Sequence, residues 1–77
     1  METIGEMIAA YCERSGSTRQ AIANDVGVTP NQLRRKLRGN APIYLDEAGT
    51  LSKILGVSIE DVYMASPRRR RPSKLAN

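Results

Sequence analysis

This sequence contains no His, no Trp and no Phe, and its only cysteine is Cys12. One thiol cannot form a disulfide within the chain, and without His or a second Cys we predict no metal site of soft ligands. Free cysteine is usually buried, so we expect Cys12 to be a small core residue. The lack of His and the predicted place of Cys12 on an apolar helix face also argue against an enzyme, and we predict no cofactor.

Long apolar segments are lacking as well. No stretch approaches the roughly 20 apolar residues that a membrane helix needs. The N-terminal segment METIGEMIAAYCERSG carries acids where a secretory signal would carry basic residues. The 77 residues correspond to one small domain. We therefore expect a cytosolic protein that does not contact a membrane, and the sequence indicates no small-molecule ligand.

The sequence is rich in positive charge, which is distributed unevenly along the chain. The net charge is +4 and the isoelectric point is about 9.7. Segments 1–29 and 41–66 carry net charges of −2 and −3, whereas segment 30–40 carries +4 and segment 67–77 carries +5. Positive charge concentrated in one internal segment and one tail is expected when these surfaces face a polyanion.

The periodicity of apolar residues predicts five short helices. Capping residues mark their starts: Thr3 with Glu6, Thr18, Thr29 with Pro30 in the first helical position, and Ser58 with Asp61. The helices are expected to end near residues 15, 26, 38, 55 and 65. The side chains expected to face inward are Ile4, Met7, Ile8, Tyr11 and Cys12; Ala21, Ile22, Ala23 and Val26; Leu33 and Leu37; Leu45, Ala48, Leu51, Ile54 and Leu55; and Ile59, Val62 and Tyr63.

The fold class that follows is all-α, a compact bundle of five helices spanning residues 1–65. No internal repeat and no strand-like alternation is present. Residues 66–77, SPRRRRPSKLAN, contain one large apolar side chain and five cations. This segment cannot bury enough surface to offset the entropy of ordering, so we predict a flexible basic tail.

The third predicted helix divides into an apolar and a polar face. With Leu33 set at zero and about 100° per residue, Leu37 lies roughly 40° away, while Asn31, Arg35 and Arg38 lie near the opposite pole. Gln32 and Arg34 flank that polar face. Asn and Gln can pair with adenine edges and Arg with guanine, so we predict base contacts from Asn31, Gln32, Arg34 and Arg35. Lys36 and Arg38 are expected to contact phosphates, although a merely solvated helix surface remains the alternative.

Two stretches resemble a known family. STRQAIANDVGVTPNQLRRKLRG resembles the helix-turn-helix of the Cro and lambda-repressor-like (XRE) family, and YLDEAGTLSKILGVSIEDVY is similar to the helices that follow it there. The resemblance covers about residues 4–64, with the helix-turn-helix at about 18–38. It implies that the third helix enters the major groove, that the second crosses the backbone, and that Asn31, Gln32 and Arg35 occupy base-reading positions.

The resemblance also implies further contacts and one departure. Arg19 stands where many members carry Gln, and it suits a phosphate contact by its charge, with Thr18 and Asn40 as weaker candidates. Many members pair an Arg late in the first helix with a Glu at the end of the third, but those two positions are Cys12 and Leu37 here. We therefore expect Cys12 to pack on Leu37, and Arg introduced alone at position 12 to cost about 3 kcal/mol or more.

The function implied is that of a small phage or prophage Cro-type regulator in the cytoplasm and nucleoid of a bacterial or phage-infected cell. It would repress transcription by occupying a pseudo-palindromic operator in double-stranded DNA as a homodimer. Arg68, Arg69, Arg70 and Arg71 would form an auxiliary arm on phosphates. Two alternatives stay open: an antitoxin-like or phage accessory module whose fourth and fifth helices bind a protein, and RNA binding through the tail with Tyr44 as the stacking platform.

Overall fold

The computed structural model describes residues 2–67, and within that range all regular structure is helical. The helices are α1 (Ile4–Ser15), α2 (Arg19–Val26), α3 (Pro30–Leu37), α4 (Leu45–Leu55) and α5 (Ile59–Ala65). The predicted all-α fold of five helices is therefore confirmed. The predicted arm, Arg68 to Arg71, lies outside the described residues.

Side-chain caps start the helices where the sequence predicts them. The Thr3 hydroxyl oxygen accepts from the Glu6 amide at 3.1 Å while the Glu6 carboxylate accepts from the Thr3 amide at 3.0 Å. The Thr18 hydroxyl oxygen caps α2 by accepting from the Ala21 amide at 3.1 Å. At α5 the Ser58 hydroxyl oxygen accepts from the Asp61 amide at 3.0 Å. Each cap satisfies backbone donors that the first turn of a helix leaves without a partner.

The connection between α2 and α3 consists of Gly27, Val28 and Thr29. Gly27 adopts φ of 91°, a left-handed conformation that glycine reaches without steric cost. Its amide donates to Ala23 O at 2.9 Å, and the Val28 amide donates to the same oxygen at 3.0 Å, which closes the end of α2. Thr29 then caps α3, so two eight-residue helices are joined by a tight turn of three residues.

One hydrophobic core joins all five helices. α4 packs against α1, α2 and α5, and α2 also packs against α1 and α3. Partly buried apolar side chains surround this centre, among them Cys12, Leu37 and Val28. The predicted packing of Cys12 on Leu37 stays a prediction, with both residues placed on the same core. The fully buried members are Ile4, Ile8, Ile22, Ala23, Leu33, Ala48, Leu51 and Val62.

Four side chains predicted to face inward are exposed instead. Leu45 is the first residue of α4 and is 66% exposed, because the inner face of that helix is formed by Ala48 and Leu51. Ala21 is exposed because the inner face of the short helix α2 is formed by Ile22 and Ala23. Ile59 and Tyr63 are 38% and 41% exposed on α5, where Val62 fills the core. These four predictions were wrong.

The described residues contain neither a candidate membrane span nor a metal cluster. Among residues 2–67 no helix has the length and apolar character required to cross a bilayer. The same residues contain no grouping of three or more His, Cys, Asp or Glu side chains that could hold a metal ion.

Candidate nucleic-acid interface

The start of α3 is fixed by a reciprocal cap around Thr29. The Thr29 hydroxyl oxygen accepts from the Gln32 amide at 3.1 Å, and the Gln32 side-chain oxygen accepts from the Thr29 amide at 3.0 Å. Pro30 occupies the first helical position, where its missing N–H leaves no bond unmade. The spacing of Thr29 and Gln32 is itself the capping-box signal, so this second half of the cap was recognisable in the sequence.

The cap limits what Gln32 can do as a base reader. A bidentate pair with adenine needs both the side-chain oxygen as acceptor and the side-chain nitrogen as donor. In this structure the oxygen already accepts from the Thr29 amide, while the nitrogen has no partner among residues 2–67. Gln32 is therefore prepared to donate one hydrogen bond, and a bidentate pair would require the cap to open.

The outward face of α3 is polar and cationic. Leu33, which is 2% exposed, points into the core. Asn31, Arg34 and Arg35 are exposed on the helix, and Arg38 is exposed at its C-cap. We refer to Asn31, Arg34, Arg35 and Arg38 as the α3 face. The structure thus places these four predicted contacts on the solvent side of one short helix.

No acidic side chain of the described residues neutralises the α3 face. Within residues 2–67 the ion pair between Lys36 and Glu47 is the one found at up to 4.0 Å, and it involves none of the three arginines. Three guanidinium groups within five residues therefore carry their full charge at the surface. The cations also lie in the last turn of α3, where the helix dipole favours them, and this explains part of their presence without a ligand.

Lys36 does not belong to the α3 face. Lys36 is only 8% exposed. Its ammonium group lies 3.0 Å from Glu47 Oε1 and donates a hydrogen bond to Pro42 O at 2.8 Å. The ring centroid of Tyr44 lies 4.8 Å from the same nitrogen. A buried ammonium with a carboxylate, a carbonyl and an aromatic ring around it has little capacity to bind phosphate. We therefore remove Lys36 from the predicted phosphate contacts.

Glu47 connects this cluster to the start of α4. Its Oε1 atom accepts from the Tyr44 amide at 2.9 Å and also pairs with Lys36. We call Lys36, Pro42, Tyr44 and Glu47 the Lys36 cluster. It joins α3, the 39–44 connection and the first turn of α4. The sequence prediction missed it, although Lys36 is three residues from Leu33 and so lies on the inner side of the wheel.

Tyr63 extends the same network to α5. Its hydroxyl donates to Ile43 O at 3.1 Å, which holds α5 against the 39–44 connection. Burial raises the pKa of the Tyr63 phenol above its ordinary value of 10.0, and the negative charges of Glu47 and Asp46 raise it further. The phenol is thus neutral at physiological pH and available as a donor.

The remaining predicted phosphate contacts are exposed. Arg19 is the first residue of α2, next to the backbone N–H groups at the positive end of that helix. The Thr18 hydroxyl oxygen caps α2, and its own hydrogen is still available for donation. Asn40 lies just beyond α3, and its amide donates to Arg35 O at 2.9 Å. All three side chains are accessible to a ligand.

Comparisons with protein-family models, with curated proteins and with solved structures gave no match to this chain. The resemblance to the Cro and lambda-repressor-like family therefore stays a prediction. The case for a nucleic-acid ligand depends on the geometry and charge of the α3 face.

Proposed function

We propose that this protein is a sequence-specific regulator of transcription that binds double-stranded DNA through the α3 face. The observation that carries the proposal is the contrast between the two sides of α3. On the inner side, Leu33 and Lys36 are buried against the rest of the fold. On the outer side, the α3 face is exposed and has no acidic partner among residues 2–67.

The size and chemistry of α3 suit the major groove of B-DNA. That groove is about 12 Å wide and admits one α-helix, whose first turns meet the base edges. Asn31 lies in the first turn of α3 and Arg35 about one turn further. An amide and a guanidinium are the groups that form bidentate contacts with adenine and guanine, each worth about 1–3 kcal/mol of discrimination. In this arrangement Arg34 flanks the reading residues and Arg38 reaches the backbone.

The preceding helix supplies contacts of a different kind. Arg19 and Thr18 lie at the N-terminus of α2, where backbone N–H groups and the positive end of the helix attract phosphate. Such contacts position a protein on the duplex without reading its sequence. Asn40 is the corresponding candidate beyond the C-terminal end of α3. The proposal thus assigns base reading to α3 and positioning to the residues on either side of it.

One short helix reads only a few base pairs, so useful specificity requires a second copy about one turn of DNA away. We therefore propose that the operator is pseudo-palindromic and that two copies bind it. Occupation of a promoter by such a pair prevents access by the transcription machinery, so repression is the simplest mechanism.

The test is selection of bound sequences from random duplex DNA at fixed salt, comparing the parent with Arg35→Ala and with Lys53→Ala as the control. Lys53 is an exposed cation on α4 and is not a member of the α3 face. We expect the parent and the control to enrich one pseudo-palindrome, and Arg35→Ala to lose preference at one position in each half-site. Salt-sensitive binding without any enriched sequence would refute sequence-specific regulation.

A second candidate is a protein-interaction module of the antitoxin or phage accessory type. The observation that favours it is the exposure of large apolar side chains on α4 and α5, such as Leu45 and Met64. A stable complex with a different protein that shields these side chains, combined with no enriched DNA sequence, would favour this function. RNA binding has less support, because the Tyr44 ring already faces the Lys36 ammonium.

A further inference from the structure

The cap of α3 fixes the orientation of the Gln32 side chain. The Thr29 amide is a hydrogen-bond donor, so the Gln32 atom that faces it at 3.0 Å is the side-chain oxygen. The Thr29 hydroxyl oxygen in turn accepts from the backbone amide of Gln32 at 3.1 Å. Gln32 is exposed, and its side-chain nitrogen has no partner among residues 2–67. With the cap closed, Gln32 therefore offers a ligand an NH2 group, which only donates.

Gln32 lies beside the residues of the α3 face. At about 100° per residue it is about 60° from Arg35 around the helix, and about 4.5 Å from Arg35 along the axis. Successive nucleotides of a DNA strand are about 3.4 Å apart. When α3 lies in the major groove, Gln32 and Arg35 can therefore reach neighbouring base pairs.

A closed cap disfavours adenine as the base that Gln32 reads. Adenine presents one acceptor, N7, beside one donor, N6, and a bidentate pair needs the Gln oxygen and nitrogen to face that edge together. To turn its oxygen toward the base, Gln32 would release the Thr29 amide, which would lose its acceptor at a surface covered by DNA. The hydrogen bond gained at adenine would be offset by the one lost at the cap.

We propose that Gln32 reads guanine, as a donor only, with the cap of α3 closed. This inference rests on the proposed function, in which α3 lies in the major groove. Guanine presents two acceptors there, N7 and O6, and no donor, which suits both hydrogens of the Gln32 NH2 group. Thymine presents one acceptor beside a methyl group, and cytosine presents a donor. Gln32 thus determines the preference for one G·C pair in each half-site.

Asn31 provides a comparison on the same helix. It is exposed, and its side chain forms no hydrogen bond within residues 2–67. Its oxygen and its nitrogen are both available, so Asn31 retains the bidentate contact with adenine that the cap denies to Gln32. The two side chains are about 100° apart around the helix, so they face different base pairs.

Gln32→Glu tests the inference because it keeps the cap and reverses the free group. A Glu oxygen accepts from the Thr29 amide as the Gln oxygen does, since Thr followed three residues later by Glu is also a capping box. The second carboxylate oxygen replaces the NH2 group, so it accepts from cytosine N4 and repels the acceptors of guanine. Gln32→Ala removes both groups, and Asn31→Ala is the matched control. Circular dichroism verifies that each variant folds.

The measurement is selection of bound sequences from random duplex DNA at fixed salt. In the parent we expect G·C at one position of each half-site, preferred about fivefold as one hydrogen bond would give. Gln32→Ala should lose that preference, and Gln32→Glu should invert the pair to C·G. Asn31→Ala should lose preference at a different position. The added negative charge of Gln32→Glu weakens binding to every sequence, so the readout is base preference and not affinity.

The outcomes separate this inference from the proposed function. An enriched pseudo-palindrome would leave the proposed function standing and overturn the inference in any of three cases. The position that Gln32→Ala relaxes carries a pair other than G·C, Gln32→Ala relaxes no position, or Gln32→Glu does not invert the pair. Selection that enriches no sequence would overturn both.

Discussion

The Lys36 cluster makes the strongest prediction about stability. Lys36→Met leaves the Glu47 carboxylate, whose side chain is 12% exposed, without its ammonium partner. Loss of one member of a buried ion pair costs about 3–5 kcal/mol. Glu47 keeps the Tyr44 amide as a donor and the positive end of α4, so we expect the lower value, about 3 kcal/mol.

That cost is large for a domain of this size. A single core of fewer than about 70–80 residues rarely supplies more than about 3–5 kcal/mol of stability. Lys36→Met should therefore populate unfolded chains without denaturant. Glu47→Gln should cost less, about 1–2 kcal/mol, because the Gln oxygen can still accept from the Lys36 ammonium and the Tyr44 amide.

The double variant distinguishes a pair from two independent contacts. With Lys36→Met and Glu47→Gln together, neither buried charge remains, so we expect stability to recover by about 2 kcal/mol relative to the sum of the single effects. Urea unfolding followed by far-ultraviolet circular dichroism measures all four proteins. Lys53→Met is the control, since removal of an exposed lysine should change stability by about 0.5 kcal/mol or less.

Two results would refute this reasoning. If Lys36→Met is as stable as Lys53→Met, the ammonium is not buried in a required pair. If the double variant on DNA shows a salt slope lower by about one than the parent, Lys36 does neutralise a phosphate. We expect that reduction in slope from Arg38→Gln, because Arg38 is exposed and has no acidic partner within residues 2–67.

Three further predictions concern other parts of the chain. Cys12 is only partly buried, so a guanidinium there can partly reach water, and the cost expected of Cys12→Arg in urea unfolding falls from about 3 kcal/mol or more to about 1–3 kcal/mol. Unchanged stability would contradict packing of Cys12 on Leu37. The pKa of Tyr63 is raised, so its neutral form stabilises the fold up to pH 10.0 and this contribution is lost as pH rises through the folded-state pKa. Glu47→Gln should lower the pKa of Tyr63 in an ultraviolet titration referenced to Tyr63→Phe, and an unchanged pKa would exclude the charge effect. Replacing Arg68 to Arg71 by Gln should weaken DNA binding and reduce its salt slope by about 0.9 for each phosphate that the arm no longer neutralises, whereas equal slopes would remove the arm from the mechanism.

The sequence predicted helix positions well because local signals determine them. Thr3, Thr18, Thr29 and Ser58 cap their helices through contacts within three residues, and such contacts do not depend on the rest of the fold. Which apolar side chains are buried was harder to predict. Leu45 and Ala48 are both apolar residues early in α4, and only the arrangement of neighbouring helices decides that Ala48 faces them.

The error at Lys36 has a different origin, because the sequence itself indicates which way this side chain points. A count of charges along RRKLR treats its four cations as equivalent, but on a helix they point in different directions. Lys36 lies about 60° from Leu33 on the wheel, whereas Arg35 lies near the opposite pole. A lysine that points inward requires a buried acceptor, and Glu47 in the first turn of α4 is that acceptor. The pairing could not be predicted, because the sequence does not show how the residues between α3 and α4 bring these two side chains together.

The inner side chains Leu33 and Lys36 fix the position of α3, while the α3 face stays exposed. Leu33 fixes the depth of the helix through apolar contact, which tolerates some rotation about the helix axis. The Lys36 ammonium is constrained by Glu47 Oε1 at 3.0 Å and Pro42 O at 2.8 Å, and these directional contacts limit that rotation. A rotation of one residue step, about 100°, would turn Arg35 away from a ligand in front of the α3 face. The buried charge of Lys36 therefore determines where the three exposed charges of the α3 face point.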